Sequence, residues 1–123
     1  MWPPRRLRRL SVSVLTAFVL SLLTAIAGLR ESEIRASQTI KLMTLGDAGA
    51  SMSIPEPPPS ANPDNVRTLL SEFGTAREAI LATVREMSED DLTANRPGFQ
   101  GASSIRQVLE QLVERDQKLM QSI

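Results

Sequence analysis

The 123-residue chain contains no cysteine and no histidine, and Trp2, Phe18, Phe73 and Phe99 are its only aromatic residues. Without cysteine there are no disulfides, thiolate metal sites or cysteine nucleophiles. Without histidine the chain lacks the commonest general base and the commonest transition-metal ligand. Four aromatics, two of them within the first eighteen residues, do not supply a platform for stacked bases or sugars. Basic and acidic groups balance at fourteen each, but unevenly. Residues 1–27 hold four arginines and no acid, which leaves a net −4 on residues 28–123. A nucleic-acid partner would call for a clustered basic face, so none is expected.

What the chain does have is a long apolar run. Leu10 to Leu29 is twenty residues without a charge, preceded by arginines at positions 5, 6, 8 and 9. Twenty helical residues at ~1.5 Å each match the ~30 Å hydrocarbon core of a bilayer. The same stretch also has a basic start, an apolar centre and a small-x-small site at Ala25-Ile26-Ala27, the parts of a signal peptide. The expectation is a membrane anchor over residues 1–29, with export after cleavage following Ala27 as the alternative; a buried helix of a soluble protein is the bland reading. The four arginines place the N-terminus in the cytoplasm and the rest of the chain outside it. Arg8-Arg9 fits a twin-arginine export signal only loosely.

Residues 30–63 read as a juxtamembrane and proline-rich linker. Ile34, Ile40, Leu42 and Leu45 either extend the membrane helix or form a short helix of their own, and Gly46-Asp47-Ala48-Gly49 breaks it. Ile54 to Pro63 holds five prolines in ten residues, favouring an extended, semi-rigid spacer. A stalk holding the remainder clear of the membrane is expected in preference to a ligand for a proline-binding module, because the run has no basic residue to orient one.

Residues 64–123 carry two amphipathic helical stripes. Val66, Leu69, Leu70, Phe73, Ala76, Ile80, Val84 and Met87 recur at three-and-four spacing, as do Ile105, Val108, Leu109, Leu112, Leu119 and Ile123. Asp64 is positioned to cap the first helix. Gly74 costs ~1 kcal/mol in mid-helix, for which a closely packed neighbour would be a reason. Ser88 and Asp91 are spaced as a capping box over an acidic turn, with Leu92 tucked beneath, and Ser104 with Gln107 as a second box. Between the helices, Pro97 lacks an amide donor and constrains Arg96, while Gly98 is free to take positive φ.

Ala76–Leu81 followed by Met87-Ser88-Glu89-Asp90-Asp91-Leu92, and the string from Pro97 to Leu112, resemble the first helix, acidic turn and second-helix start of the DinB-like superfamily, whose members form four-helix bundles. The resemblance covers about residues 65–123, half of such a domain, and implies half of a four-helix bundle there; with the segments read above, the expected fold is all-α: a signal-anchor or transmembrane helix, a proline-rich linker, then a two-helix hairpin. It also implies a metal-binding histidine on the second helix, where this chain has Gln111. Later family ligands would lie on a helix beyond its last residue. Gln111 is neutral, a poor ligand for divalent transition metals and no base near pH 7. No catalytic, cofactor-binding or metal-ligating residue is therefore assigned.

Other candidates read as structural. Glu89, Asp90 and Asp91 diverge around a turn and suit capping. Glu110, Glu114, Arg115, Asp116 and Lys118 read as a solvated face, with Glu114 and Lys118 in favourable i,i+4 order. Paired carboxylates at Glu78 and Glu110 would need the hairpin to bring them together, and Ser103-Ser104 lacks a partner base. The expected function is a membrane-anchored or exported, non-catalytic helical module acting through helix-mediated association. The alternative is a divergent or truncated DinB-like metal- or thiol-dependent transferase or hydrolase completed by another chain. Two helices cannot enclose a core alone. The hairpin is accordingly expected to pair with a second copy or partner helices through Val66, Leu69, Phe73, Ile80, Val84, Ile105, Leu109, Leu112 and Leu119, while residues 10–29 contact membrane.

Overall fold

One helix, α1 (Arg5–Thr44), takes in the apolar run and continues fifteen residues beyond it. The structure, a computed structural model, describes residues 5–99 and 101–122, with side chains from Ser13 onward. The arginine side chains before Leu10, and Ile123 at the end of the second stripe, lie outside the described residues. All regular elements among the described residues are helices. After α1 come a single turn α2 (Asp47–Ala50), then α3 (Val66–Arg85), a short α4 (Glu89–Thr93) and α5 (Ile105–Gln121).

The two halves of α1 have different surroundings. From Ser13 to Leu22 its side chains are exposed, Val14, Leu15, Phe18, Val19 and Leu20 among them. From Ile26 onward one face is buried: Ile26, Arg30, Glu33, Ser37 and Ile40 recur at alternating spacings of four and three, and Met43 closes the series. That spacing is the seam of a packed helix. Residues 30–44, assigned from sequence to the linker, are thus a core helix. Ile40 and Met43 share a buried cluster with Ile80, Ile105 and Val108, and Val84, Met87, Leu92, Phe99, Leu109 and Leu112 pack around it. The hairpin's stripes are covered in large part by the chain's own α1.

The directions of the helices follow from their contacts. Arg30 meets Glu72 and Glu33 meets Arg77, while Ile40 and Met43 lie with Ile80, so α3 runs parallel to α1. Ile105 and Val108 belong to that same distal cluster whereas Arg115 reaches Ser32, so α5 runs back antiparallel. Residues 52–65 must therefore return along α1. The proline-rich segment is a strap, where the sequence suggested a stalk. The Pro58 carbonyl accepts from Arg30 Nη2 at 2.6 Å, and the Ser60 hydroxyl and Ala61 amide both donate to the Glu72 carboxylate. Prolines at ~3.1 Å per residue in extended form give ample reach for this return.

Turn chemistry accounts for the breaks. Gly49 has no room for a side chain, since a Cβ there would stand 1.8 Å from the Leu42 carbonyl oxygen. Gly98 has φ 96°, as its place in the loop predicts. Arg96 secures this loop: its Nη1 donates to the Met43 carbonyl at 2.8 Å, which also accepts from the Gly46 amide at 3.1 Å at the end of α1. The Ser88–Asp91 capping box is complete. At α3 the cap is Asn65, one residue later than Asp64; its Oδ1 accepts from the Thr68 amide at 3.0 Å. At α5 the Ser104 hydroxyl accepts from the Gln107 amide at 3.2 Å, but the Gln107 side chain bonds Ser103, so only half a box forms. Gly74 has nothing within 4 Å of a would-be Cβ, and close packing does not explain it.

Candidate functional site

The polar middle of the buried α1 face is the most unusual feature of the bundle. Glu33 is fully buried among three helices. Its Oε2 accepts from Arg77 Nε of α3 at 2.7 Å, and its Oε1 lies 3.5 Å from Arg115 Nη2 of α5. Asp116 completes the group, accepting from Arg77 Nη2 and Arg115 Nη2, each at 2.8 Å. Arg115 Nη1 also donates to the Ser32 hydroxyl at 3.0 Å. The Phe73 ring lies beneath both guanidiniums, 4.8 Å from that of Arg77 and 5.8 Å from that of Arg115. Such placement adds cation–π attraction where water is partly excluded.

Two cations and two anions cancel. Burial alone would raise the Asp116 pKa, but Arg115 and Arg77 outweigh it and hold the carboxyl below its ordinary value. Burial likewise works against the Arg77 charge, and Glu33 and Asp116 more than compensate, raising its pKa. Both arginines are thus committed to carboxylates. The chemistry of the group is to join α1, α3 and α5 at one level.

A second junction lies about one turn earlier on the same face of α1. The Glu72 carboxyl is held below its usual pKa chiefly by the Ser60 hydroxyl, then by the Ala61 amide, with Arg30 adding to the effect. This ties the strap to both parallel helices. Beside it, α1 and α3 form an open cleft of about 410 Å³ lined by Ser37, Gln38, Lys41 and Ala79 among others. A smaller groove of about 230 Å³ separates α3 from α5, lined by Ile80, Leu81, Leu109, Leu112 and Val113 together with Arg77 and Asp116.

The residues singled out in the sequence are placed as follows. Gln111, at the family ligand position, donates its side-chain amide to the Gly101 carbonyl at 2.5 Å. Glu110 pairs with Arg106, which also reaches Glu89, and Glu78 is exposed, so the two glutamates do not share a site. Glu114 and Lys118 pair on the surface at 3.1 Å. Arg115 and Asp116, expected on a solvated face, are half-buried and belong to the cluster around Glu33 instead. Among the described residues, no three carboxylates are grouped as a metal ion would need.

These features define an all-α protein whose N-terminal helix is long and apolar enough to cross a membrane and continues into the protein core. Compared with protein-family models, curated proteins and solved structures, the chain matches none.

Proposed function

We propose that the chain is a single-pass, membrane-anchored helical module that acts without catalysis, by association of its bundle with a second copy of itself. The N-terminus lies in the cytoplasm and the bundle on the opposite side, following the four arginines that precede Leu10. One observation carries the reading: α1 joins exposed apolar turns to core-forming turns without a break. Retention is favoured over cleavage because a cut following Ala27 would take Ile26, a buried residue, away from the bundle. The DinB-like resemblance contributes only the capped turns and helix starts, and the reading stands without it.

Association is assigned to the α3–α5 groove. Leu81 and Val113 are exposed there, with half-buried Leu109 and Leu112 between them. Two copies anchored in one bilayer share orientation and a high local concentration, so a modest apolar face suffices to pair them across a two-fold axis. The chain's freedom from cysteine makes this testable directly. Val113→Cys introduces the sole thiol, and oxidation in native membranes is expected to yield a dimer, whereas Glu31→Cys on the outer side of α1 yields none. Equal cross-linking at both sites, or none at Val113→Cys, contradicts the association. Intact mass of the alkaline-washed membrane fraction is expected to give the full chain; a soluble product beginning at Gly28 contradicts the anchor.

A further inference from the structure

We infer that the membrane-proximal end of the bundle is itself a lipid-binding surface, seated in the headgroup region by a span too short to leave it clear of the bilayer. The inference rests on the anchor reading above. The uncharged run has twenty residues, but packing against the bundle begins at Ile26. Leu10 to Ala25, the part of the run that precedes Ile26, is ~24 Å of helix at ~1.5 Å per residue, against a hydrocarbon core of ~30 Å. The missing ~6 Å is the turn Ile26–Leu29. Immersing that turn draws in whatever packs beside it, because α1 is unbroken there and Arg30 is fixed to Glu72 and to the Pro58 carbonyl.

The parallel and antiparallel courses of α3 and α5 specify those neighbours. Leu70 lies half a turn before Glu72, the partner of Arg30, and is 48 % exposed. Met120 lies little more than a turn beyond Arg115, the partner of Ser32, and is 74 % exposed. Both stand at the level of Ile26–Leu29, where Leu119 is half-buried. Arg67, exposed at the same end, has a long apolar stem whose charge extends to phosphate level, while Lys118 there pairs with Glu114; Asp64 and Glu31 are acids nearby. A depth of ~5–10 Å is what apolar faces reach at the headgroup boundary, matching the shortfall of the span. The ligand is the zwitterionic or anionic phospholipid surface itself.

The distal end supplies matched controls, since Leu45 and Met52 are 56 % and 54 % exposed. Full-length single-cysteine variants at Leu70, Met120, Leu45, Met52 and Leu20 would be labelled with an environment-sensitive fluorophore. They would then be reconstituted in phosphatidylcholine–phosphatidylglycerol vesicles containing brominated acyl chains. Quenching at Leu70→Cys and Met120→Cys is expected to exceed that at Leu45→Cys and Met52→Cys by about threefold or more. Equal, weak quenching at all four, with strong quenching at Leu20→Cys, overturns this inference and leaves the anchor standing. Weak quenching at Leu20→Cys as well overturns both.

Discussion

Replacing Glu33 by alanine should be the most costly change of a charged side chain in the bundle. The carboxylate is fully buried, and its loss deprives Arg77 of a 2.7 Å partner and Arg115 of a longer one. Removing one member of a wholly buried ion pair costs ~3–5 kcal/mol because the other charge is left without compensation. Here both arginines keep Asp116 at 2.8 Å, and Arg77 is about one-third exposed, so water recovers part of that loss. The expected cost is therefore ~2–3 kcal/mol. Glu31→Ala, two residues earlier, removes a pair with Arg35 in which both partners are about half exposed, and should cost ~0.3 kcal/mol. Urea titration of the detergent-solubilised full chain, followed by far-ultraviolet circular dichroism, compares the two. Arg77→Ala and the double variant with Glu33→Ala complete a cycle in which the two losses are expected to be non-additive by more than ~1 kcal/mol. If Glu33→Ala lies within ~0.5 kcal/mol of Glu31→Ala, the cluster is not buried as described and the reasoning fails.

Three further outcomes follow from the same packing. Ile105→Ala, at a site with no solvent exposure in the shared core, should cost ~2–5 kcal/mol in that titration. Gly49→Ala should be far more disruptive than Gly74→Ala, because a Cβ at Gly49 meets the Leu42 carbonyl while the space at Gly74 is open; hydrogen exchange at residues 42–50 would report the difference. Asp116 and Glu72 have folded pKa values depressed below the ordinary 3.8 and 4.5, so their contribution is present above those values and is lost as pH falls through the lower, folded ones. Thermal midpoints should thus be flat from neutrality to about pH 5 and fall below it, and Asp116→Asn should flatten that fall.

The sequence made the local punctuation legible and left the third helix obscure. Ser88, Asp91, Ser104 and Gly98 act where their chemistry predicts, because caps and turns depend on a few adjacent residues. Both stripes from Val66 and Ile105 are helix faces for the same reason. Residues 30–44 were harder to read because Arg30, Glu33 and Ser37 interrupt the apolar seam at the places where it is most buried. Polar residues there look like solvated flank until Arg77, Arg115 and Glu72 are seen opposite them. The signal was the alternating four-three spacing from Ile26 to Ile40, which polar identity masked. The direction of the proline-rich strap depends on contacts forty residues apart, and no local pattern carries that.

The central claim is that α1 is one helix serving as both anchor and core. Hydrogen exchange on the full chain in lipid nanodiscs tests it most directly. Continuous protection from the membrane segment through Met43, ending at Leu45–Gly46, is the expected result. Fast exchange throughout residues 30–44, with protection confined to the apolar run and to α3 and α5, would show a flexible linker there and contradict the account.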